Sequence, residues 1–388
     1  MDKFDLKILT ISKDVNLAMD DQKLGDVQQR NVEYGKFVRA IHSVTYSSKK
    51  QNLPNKVLGD NVFIFPTNSI NRIFFLWDSW KIASKICQQH KIDLVLTQDP
   101  FLSGLIGWLI KKKFKVKLLI HFHGDFWANK NWLKENFYNH ILLVLSRFLV
   151  KQADSLRVVS LGIKNKLLQA GVPAEKIYVI PTAVDLEKFY LRADAEVGQL
   201  KKLWGEDNKI ILFVGRLEQE KNLNWFLDVF GEVIKKYPSV VFVIVGAGSE
   251  DEKLKTKTRA LNLTTAIKFV GAVNYLELKN YFQASNMFVL PSLSESFGKV
   301  LVEAGAAGLP AVASATTGAQ EIIQDGENGF LVGIGDKKAM QEKILLLLQN
   351  EKLAEEMGQK ARSMAEEKFN WRWQIEAVVK MWQEIVAG

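Results

Sequence analysis

Between residues 209 and 314 five short runs, KIILFVG, VVFVIVG, AIKFVG, MFVLP and PAVAS, are almost wholly apolar, and each ends at Gly, Pro or Ser. A strand with one wet face alternates apolar and polar side chains. An unbroken apolar run belongs to a strand covered on both faces, the condition of a parallel sheet between helices. Longer helical patterns separate the runs, which is the rhythm of βαβ units. The first half repeats it in LKILTI, NVFIF, IDLVLT, KLLIHF, SLRVVS and IYVIP, with helices expected over 26–42, 72–90, 101–113, 133–152 and 161–170. PTAVDLEKF closes that half, and the charged stretch 190–207 reads as a linker. The pattern predicts an α/β chain of two doubly wound, Rossmann-like domains, residues 1–187 and 188–370, with the Trp-rich amphipathic helix 371–388 packing back on the first. Such domains bind ligands at the carboxyl ends of their strands, and two of them facing each other make a cleft.

A chain of 388 residues is long enough for two cores. Cys87 is the only cysteine, so no intrachain disulfide forms and a reducing, cytoplasmic setting is expected. The first residues lack the apolar core of a secretory signal, and FLSGLIGWLI and ILLVLS fall short of a membrane span. Charge is uneven: residues 1–190 hold 28 Lys+Arg against 17 Asp+Glu, the rest 24 against 26, which accounts for the net +9. A basic half calls for an anionic partner, either nucleic acid or an acidic membrane leaflet, or is a solvated face without one. Trp108, Lys111, Lys112, Lys113, Lys115 and Lys117, with Trp127 and Trp132 beyond, have the composition of a membrane interface, here the inner face of the plasma membrane. A lysine-rich edge over core tryptophans would read the same.

The residues suited to chemistry stand where strands end. KIILFVG ends in Gly215, followed by Arg216 and, five residues later, Lys221. Gly permits close backbone approach, while Arg and Lys offer a planar fork and a compact charge to phosphate oxygens. In ESFGKVLVE, Glu295 and Glu303 stand eight positions apart. Ser294-Glu295-Ser296 reads as a helix start and Gly308 before Pro310 as its stop. That places the helix N-terminus near Phe297, Gly298 and Lys299, suited to a diphosphate. Eight helical steps make about 800°, so both carboxylates can face one side. A carboxylate accepts two hydroxyl hydrogen bonds at once and suits a vicinal diol. Glu295 as a mere helix-start acid and Glu303 as a surface position are the plain alternatives. In the first half KLLIHF runs into His123-Gly124-Asp125, and Gly25-Asp26 stands where a helix begins after the long first loop. His121 alternates with His123 and reads as core. Five scattered histidines without paired spacing give no metal site, and no cofactor is expected.

FVGRLEQEKN, FVGAV, VLPSLSESFG, VLVEAGAAGLPAVAS and GAQEIIQDGENGFLV occur in that order over roughly residues 210–332. This succession resembles the large retaining glycosyltransferase family of the GT-B fold called family 4, the glycosyl transferases of group 1. LKILTIS, HGD and PTAVDLEKF resemble its first half more loosely. The resemblance implies GT-B architecture and transfer of a hexose from a UDP-hexose or GDP-mannose to a glycan or lipid-linked acceptor, as in polysaccharide or glycolipid synthesis, with retention and without a metal. It assigns Arg216 and Lys221 to the diphosphate, Glu303 to the ribose, and Glu295 to the transferred sugar, with the N–H groups of Phe297 to Lys299 nearby. Val273 matches the position whose backbone meets the base, His123 the one near the sugar's C6 hydroxyl, and Gly25 a phosphate contact. The family's usual Asn-Gly before Val-Asp is Thr182-Ala183 here, and its usual Met after Glu-Ala is Gly305.

Other functions fit parts of the pattern. A nucleotide-sugar epimerase on a similar fold needs the same diphosphate cradle but no acceptor. VIVGAGSED, with Gly246 and Gly248, hints at a dinucleotide oxidoreductase but lacks the third glycine of that fingerprint. No nucleic-acid motif accompanies the basic half, which argues against a nucleic-acid partner.

Overall fold

Fourteen strands alternate with helices in the computed structural model, which describes residues 3–19, 26–190 and 194–388. The expected apolar runs become strands because both their faces are covered: VVFVIV (240–245), MFVL (287–290) and AVAS (311–314) are buried at every residue. Contacts divide the chain into two compact units, residues 1–181 with 372–388, and residues 182–371.

The first unit holds β1 (Phe4–Ser12), β2 (Val38–Thr45), β3 (Lys56–Leu58), β4 (Val62–Pro66), β5 (Leu94–Thr97), β6 (Lys117–Phe122), β7 (Ser155–Val158) and β8 (Ile177–Val179). Among the described residues they form one sheet in the order β3-β4-β2-β1-β5-β6-β7-β8, parallel except for the β3–β4 pair. The helix expected over 26–42 stops at Phe37, and Val38–Thr45 is instead a strand paired with both β1 and β4. Arg39 is its one exposed residue, so tertiary pairing overrides a local helical pattern. The long helix expected over 133–152 is two, Lys130–Glu135 and Tyr138–Gln152. The helix Trp371–Ala387 contributes Trp382, 2% exposed, whose ring meets Tyr34 edge-on at 5.2 Å.

The second unit holds β9 (Lys209–Val214), β10 (Val240–Val245), β11 (Ile267–Gly271), β12 (Met287–Leu290), β13 (Ala311–Ser314) and β14 (Gly329–Val332). They are parallel throughout, in the order β11-β10-β9-β12-β13-β14. Counted within the unit this is 3-2-1-4-5-6, the order of the dinucleotide-binding Rossmann fold, whose ligand crevice opens where the winding reverses. Here that point lies between β9 and β12. The presumed linker 190–207 contains the helix Asp194–Trp204, whose Glu196 accepts from the Asn280 amide. β14 was not among the strands expected.

Two loops at the carboxyl edge of this sheet are in backbone contact. Gly246, after β10, has φ +143°, and a Cβ there would lie 1.8 Å from the Gly215 carbonyl oxygen. Leu217 donates its N–H to the Ala247 carbonyl at 3.0 Å, and the Glu250 N–H returns to the Leu217 carbonyl at 2.9 Å. No side chain fits between backbones this close. Gly246→Ala should therefore lower the melting temperature, costing about 2 kcal/mol or more. Gly231→Ala, in a helix with only Leu263 nearby, should raise it, with a stability gain of roughly 0.4–1 kcal/mol. Thermal unfolding of the two variants checks both signs.

Candidate active site

The loops after β9, β11 and β12 carry most of the residues singled out in the second half. Gly215 directly follows β9 and donates to the Val245 carbonyl at 3.0 Å. Arg216 then points into solvent, its side chain 73% exposed, and pairs with Glu220 at 2.9 Å. Lys221 is different: its side chain is only 14% exposed and its ammonium lies 2.6 Å from Glu295 Oε1. Glu295, 12% exposed, also accepts from the Ser292 hydroxyl at 2.8 Å. The two loops are tied again by the Leu293 N–H, which donates to the Glu220 carbonyl at 2.8 Å. These loops follow β9 and β12, so the ion pair sits at the reversal point of the sheet.

The helix after Glu295 is shorter than the sequence suggests. It runs Lys299–Ala306, and Gly298, at φ +82°, occupies its N-cap position. Ser294-Glu295-Ser296 lies in the loop before it, so the helical-step argument for aligning Glu295 with Glu303 does not hold. The N-terminus still falls at Phe297, Gly298 and Lys299, where a helix's first amides have no intrahelical acceptor. The Phe297 ring is buried against Phe369, so its side chain is taken up by the core. Gly318 braces the loop from behind, donating to the Glu295 carbonyl at 2.7 Å, and a Cβ at Gly318 would sit 2.5 Å from the Phe297 backbone.

Glu303 is 4% exposed rather than on the surface. A buried carboxylate needs partners. Tyr275 donates its hydroxyl to Oε1 at 2.9 Å, and Lys299 stands 3.4 Å from the same oxygen, its ammonium 4.5 Å above the Tyr275 ring. Tyr275 stands two residues after Val273 in the loop that follows β11. Val273 itself is half-buried. Tyr275, Ser292 and Gly318 escaped the sequence reading, because their importance depends on what they touch. The one available signal was an aromatic residue in a polar loop just past a strand end.

In the first unit, His123 follows β6 and Gln98 follows β5. Nε2 of His123 lies 2.7 Å from Gln98 Oε1. A carbonyl oxygen only accepts, so Nε2 carries the proton and Nδ1 is the ring's acceptor atom. Surrounding protein, then the positive charges of Arg157 and Arg30, push its pKa down to about 3, although the ring remains open to solvent. His123 is thus a neutral imidazole at physiological pH. Asp125 is held by Lys166 at 2.6 Å, anchoring the loop to the helix Leu161–Gln169. His121, expected in the core, is 3% exposed and meets His123 edge-on at 5.4 Å. The Gly25 assignment lies outside the described residues. Among the described residues no three His, Cys, Asp or Glu side chains converge as metal ligands.

Comparison with known proteins addresses the same two regions. The pattern of the glycosyl transferases group 1 matches residues 199–364, and that of glycosyltransferase family 4 matches residues 37–188. The chain is a group 1 glycosyltransferase. An uncharacterised glycosyltransferase of Methanocaldococcus jannaschii is 27% identical over 346 residues, covering 89% of this chain and 90% of that protein. Among solved structures, sucrose-phosphate synthase from Thermosynechococcus elongatus aligns with a TM-score of 0.86 at 22% identity, over 98% of this chain and 99% of that one. HepE of Anabaena in complex with UDP-glucose aligns with a TM-score of 0.77 at 19% identity, over 98% and 100%. The fold of this glycosyltransferase is accordingly GT-B, with two Rossmann-like units.

The rival readings lose their footing in this setting. Gly246 and Gly248 of the glycosyltransferase are glycines because the loops after β9 and β10 touch there: a Cβ on Gly248 would lie 2.4 Å from the Leu217 carbonyl oxygen. They are not a dinucleotide fingerprint, and nothing in the comparisons points to an epimerase.

Three histidines give the transferase a defined acid sensitivity. Burial, then His90 and Lys7, push His42 down to about 4; burial, then Arg157 and His123, hold His121 well below its ordinary value, and His123 lies at about 3. All three are neutral when folded and titrate near 6.5 when unfolded, so the unfolded chain binds more protons below that pH. Stability should be level between about pH 7 and 8 and fall as pH drops from 6.5 toward 4. Unfolding measured across this window, with proton uptake by calorimetry, should show that slope; a flat profile would contradict it.

Proposed function

We propose that the enzyme transfers a hexose from a nucleoside diphosphate sugar, a UDP-hexose or GDP-mannose, to a glycan or lipid-linked acceptor, with retention at the anomeric carbon and without a metal ion. The observation that carries this is the Lys221–Glu295 pair, 2.6 Å apart, on the two loops flanking the sheet's reversal point. One charge suits a diphosphate and the other suits sugar hydroxyls, on adjoining loops beside a helix N-terminus. The UDP-glucose bound to the Anabaena neighbour supports a donor of this class.

In this reading Arg216 leaves Glu220, and Lys221 exchanges its carboxylate partner for phosphate oxygens. Glu295 then accepts from the transferred sugar's hydroxyls. The amides of Phe297, Gly298 and Lys299 add donors to the diphosphate, and Gly215 lets the backbone approach it. Glu303 accepts from the ribose hydroxyls, its carboxylate oriented by Tyr275. The Val273 backbone meets the base, Gly25 is assigned to the phosphates, and His123 to the C6 hydroxyl of the sugar through its neutral ring.

The acceptor oxygen bonds to the anomeric carbon on the face from which the diphosphate departs. The breaking carbon–oxygen bond leaves its electron pair on the diphosphate, which takes the acceptor's proton. Cations placed where that charge develops act by electrostatic stabilisation. The basic first half, residues 1–190, suits an acceptor held at an anionic membrane inside the cell.

Arg216→Ala and Lys221→Ala should each lower kcat/KM by about 10²–10³, roughly 3–4 kcal/mol, in donor turnover assays. NMR of the new linkage, made in the presence of a chelator, should show the donor's anomeric configuration. Near-native turnover in both variants, or an inverted product, would refute the mechanism.

A further inference from the structure

The basic surface of the first unit continues into apolar ground that the sequence did not single out. Along the helix Tyr138–Gln152 and its preceding turn, Phe137, Ile141, Val144 and Phe148 are 80%, 56%, 67% and 43% exposed. Their spacing of four, three and four residues places them on one face, about 16 Å of outward stripe. A second stripe, Ile70, Ile73, Phe74 and Trp77, runs into the helix Phe74–Gln89 at 66%, 78%, 47% and 54% exposure. The helix Leu102–Phe114 packs against both of these helices.

Aromatic rings and lysines join the stripes across that central helix. Trp77 stacks on Trp80 at 5.6 Å, Lys113 stands 4.7 Å over Trp80, Lys112 stands 4.6 Å over Trp108, and Trp108 meets Phe148 at 5.1 Å. Beside Trp108 opens a groove lined by Lys111, Lys112, Lys115, Lys117, Lys151 and Lys176, with Asp154 its single carboxylate. Trp127 and Trp132 do not belong to this surface. Trp127 is buried with its indole N–H on Ser146, and Trp132 stacks on Phe101.

Isolated exposed apolar residues are ordinary, but two such stripes beside a groove that holds six lysines and one carboxylate are not. A protein partner of matching shape would need an acidic rim. A bilayer with anionic headgroups supplies negative charge over the lysines and hydrocarbon beneath the stripes, the pairing that in-plane amphipathic helices use. Tryptophans at headgroup depth complete it. Among the described residues no helix is long and apolar enough to cross a membrane, so any engagement through these helices is peripheral.

We propose that the outward faces of the helices Phe74–Gln89 and Tyr138–Gln152, with the lysine groove at Trp108, form a docking surface for an anionic lipid bilayer. This rests on the reading of a membrane-held acceptor and names the face that meets the membrane. Both stripes enter the headgroup boundary, and the lysines between them hold lipid phosphates.

Co-sedimentation of the full chain with phosphatidylglycerol/phosphatidylcholine vesicles and with phosphatidylcholine vesicles alone tests it. The wild type should bind the mixed vesicles, lose binding at high salt and ignore the neutral ones. Phe137→Asp with Val144→Asp, and separately Lys112→Glu with Lys151→Glu, should weaken binding by about tenfold or more, at roughly fivefold per charge. Melting temperature and nucleoside diphosphate affinity should be unchanged. A wild type that stays in the supernatant, or variants that bind as it does, would overturn the proposal. So would a concentration-dependent dimer lost in Phe137→Asp/Val144→Asp, which would give the face to a second copy. Vesicle binding without sugar transfer in the same samples would sustain the docking face and count against the catalytic reading.

Discussion

A lysine and a carboxylate 2.6 Å apart, with side chains 14% and 12% exposed, organise the second unit's ligand edge. Such a pair contributes little net stability, because withdrawing both charges from water offsets most of their attraction. In the proposed reading its value lies in preorganisation. The Ser292 hydroxyl and the Leu293–Glu220 backbone bond fix where Glu295 stands and tie the loops after β9 and β12 to each other. A ligand carrying phosphate and hydroxyls can replace the internal partners one for one, so neither charge is left buried alone.

The same economy recurs at Glu303. Tyr275 and Lys299 satisfy a carboxylate only 4% exposed, and Lys299 also sits over the Tyr275 ring. The Lys221–Glu295 pair, the helix start at Lys299 and the Tyr275–Glu303 contact draw on the loops after β9, β12 and β11. Each loop leaves the carboxyl end of a parallel strand; β9 and β12 adjoin in the sheet, while Tyr275, on the loop after the edge strand β11, reaches Glu303 through its side chain. Glycines complete the arrangement: Gly246 and Gly318 admit backbones at distances that a Cβ would forbid.

The parts of the fold legible in the sequence were those governed by burial. Strands such as VVFVIV announce themselves because both faces are covered. β2 was hidden, since RAIHSVT carries spacing compatible with a helix and becomes a strand only through its two neighbours. β14, at a sheet edge, and the polar helix Asp194–Trp204 left equally little trace. At the candidate site, Arg216, Lys221, Glu295 and Glu303 stood out by residue type and by family pattern. The helix start was misplaced because Ser294-Glu295-Ser296 looks like a cap, whereas the backbone turns at Gly298. Tyr275, Ser292 and Gly318 act through tertiary contacts that no local pattern encodes. Charge and composition could not separate Trp127, buried against Ser146, from the exposed stripe at Phe137.

The division of labour between Lys221 and Glu295 is open to direct titration. Binding of a nucleoside diphosphate and of the matching nucleotide sugar should be measured by calorimetry for the wild type, Lys221→Met and Glu295→Gln. Lys221→Met should weaken both ligands by at least about tenfold, while Glu295→Gln should weaken only the nucleotide sugar and leave the diphosphate bound as well or better. Diphosphate binding by Lys221→Met equal to the wild type would show that the pair is a structural clasp and not the donor's grip.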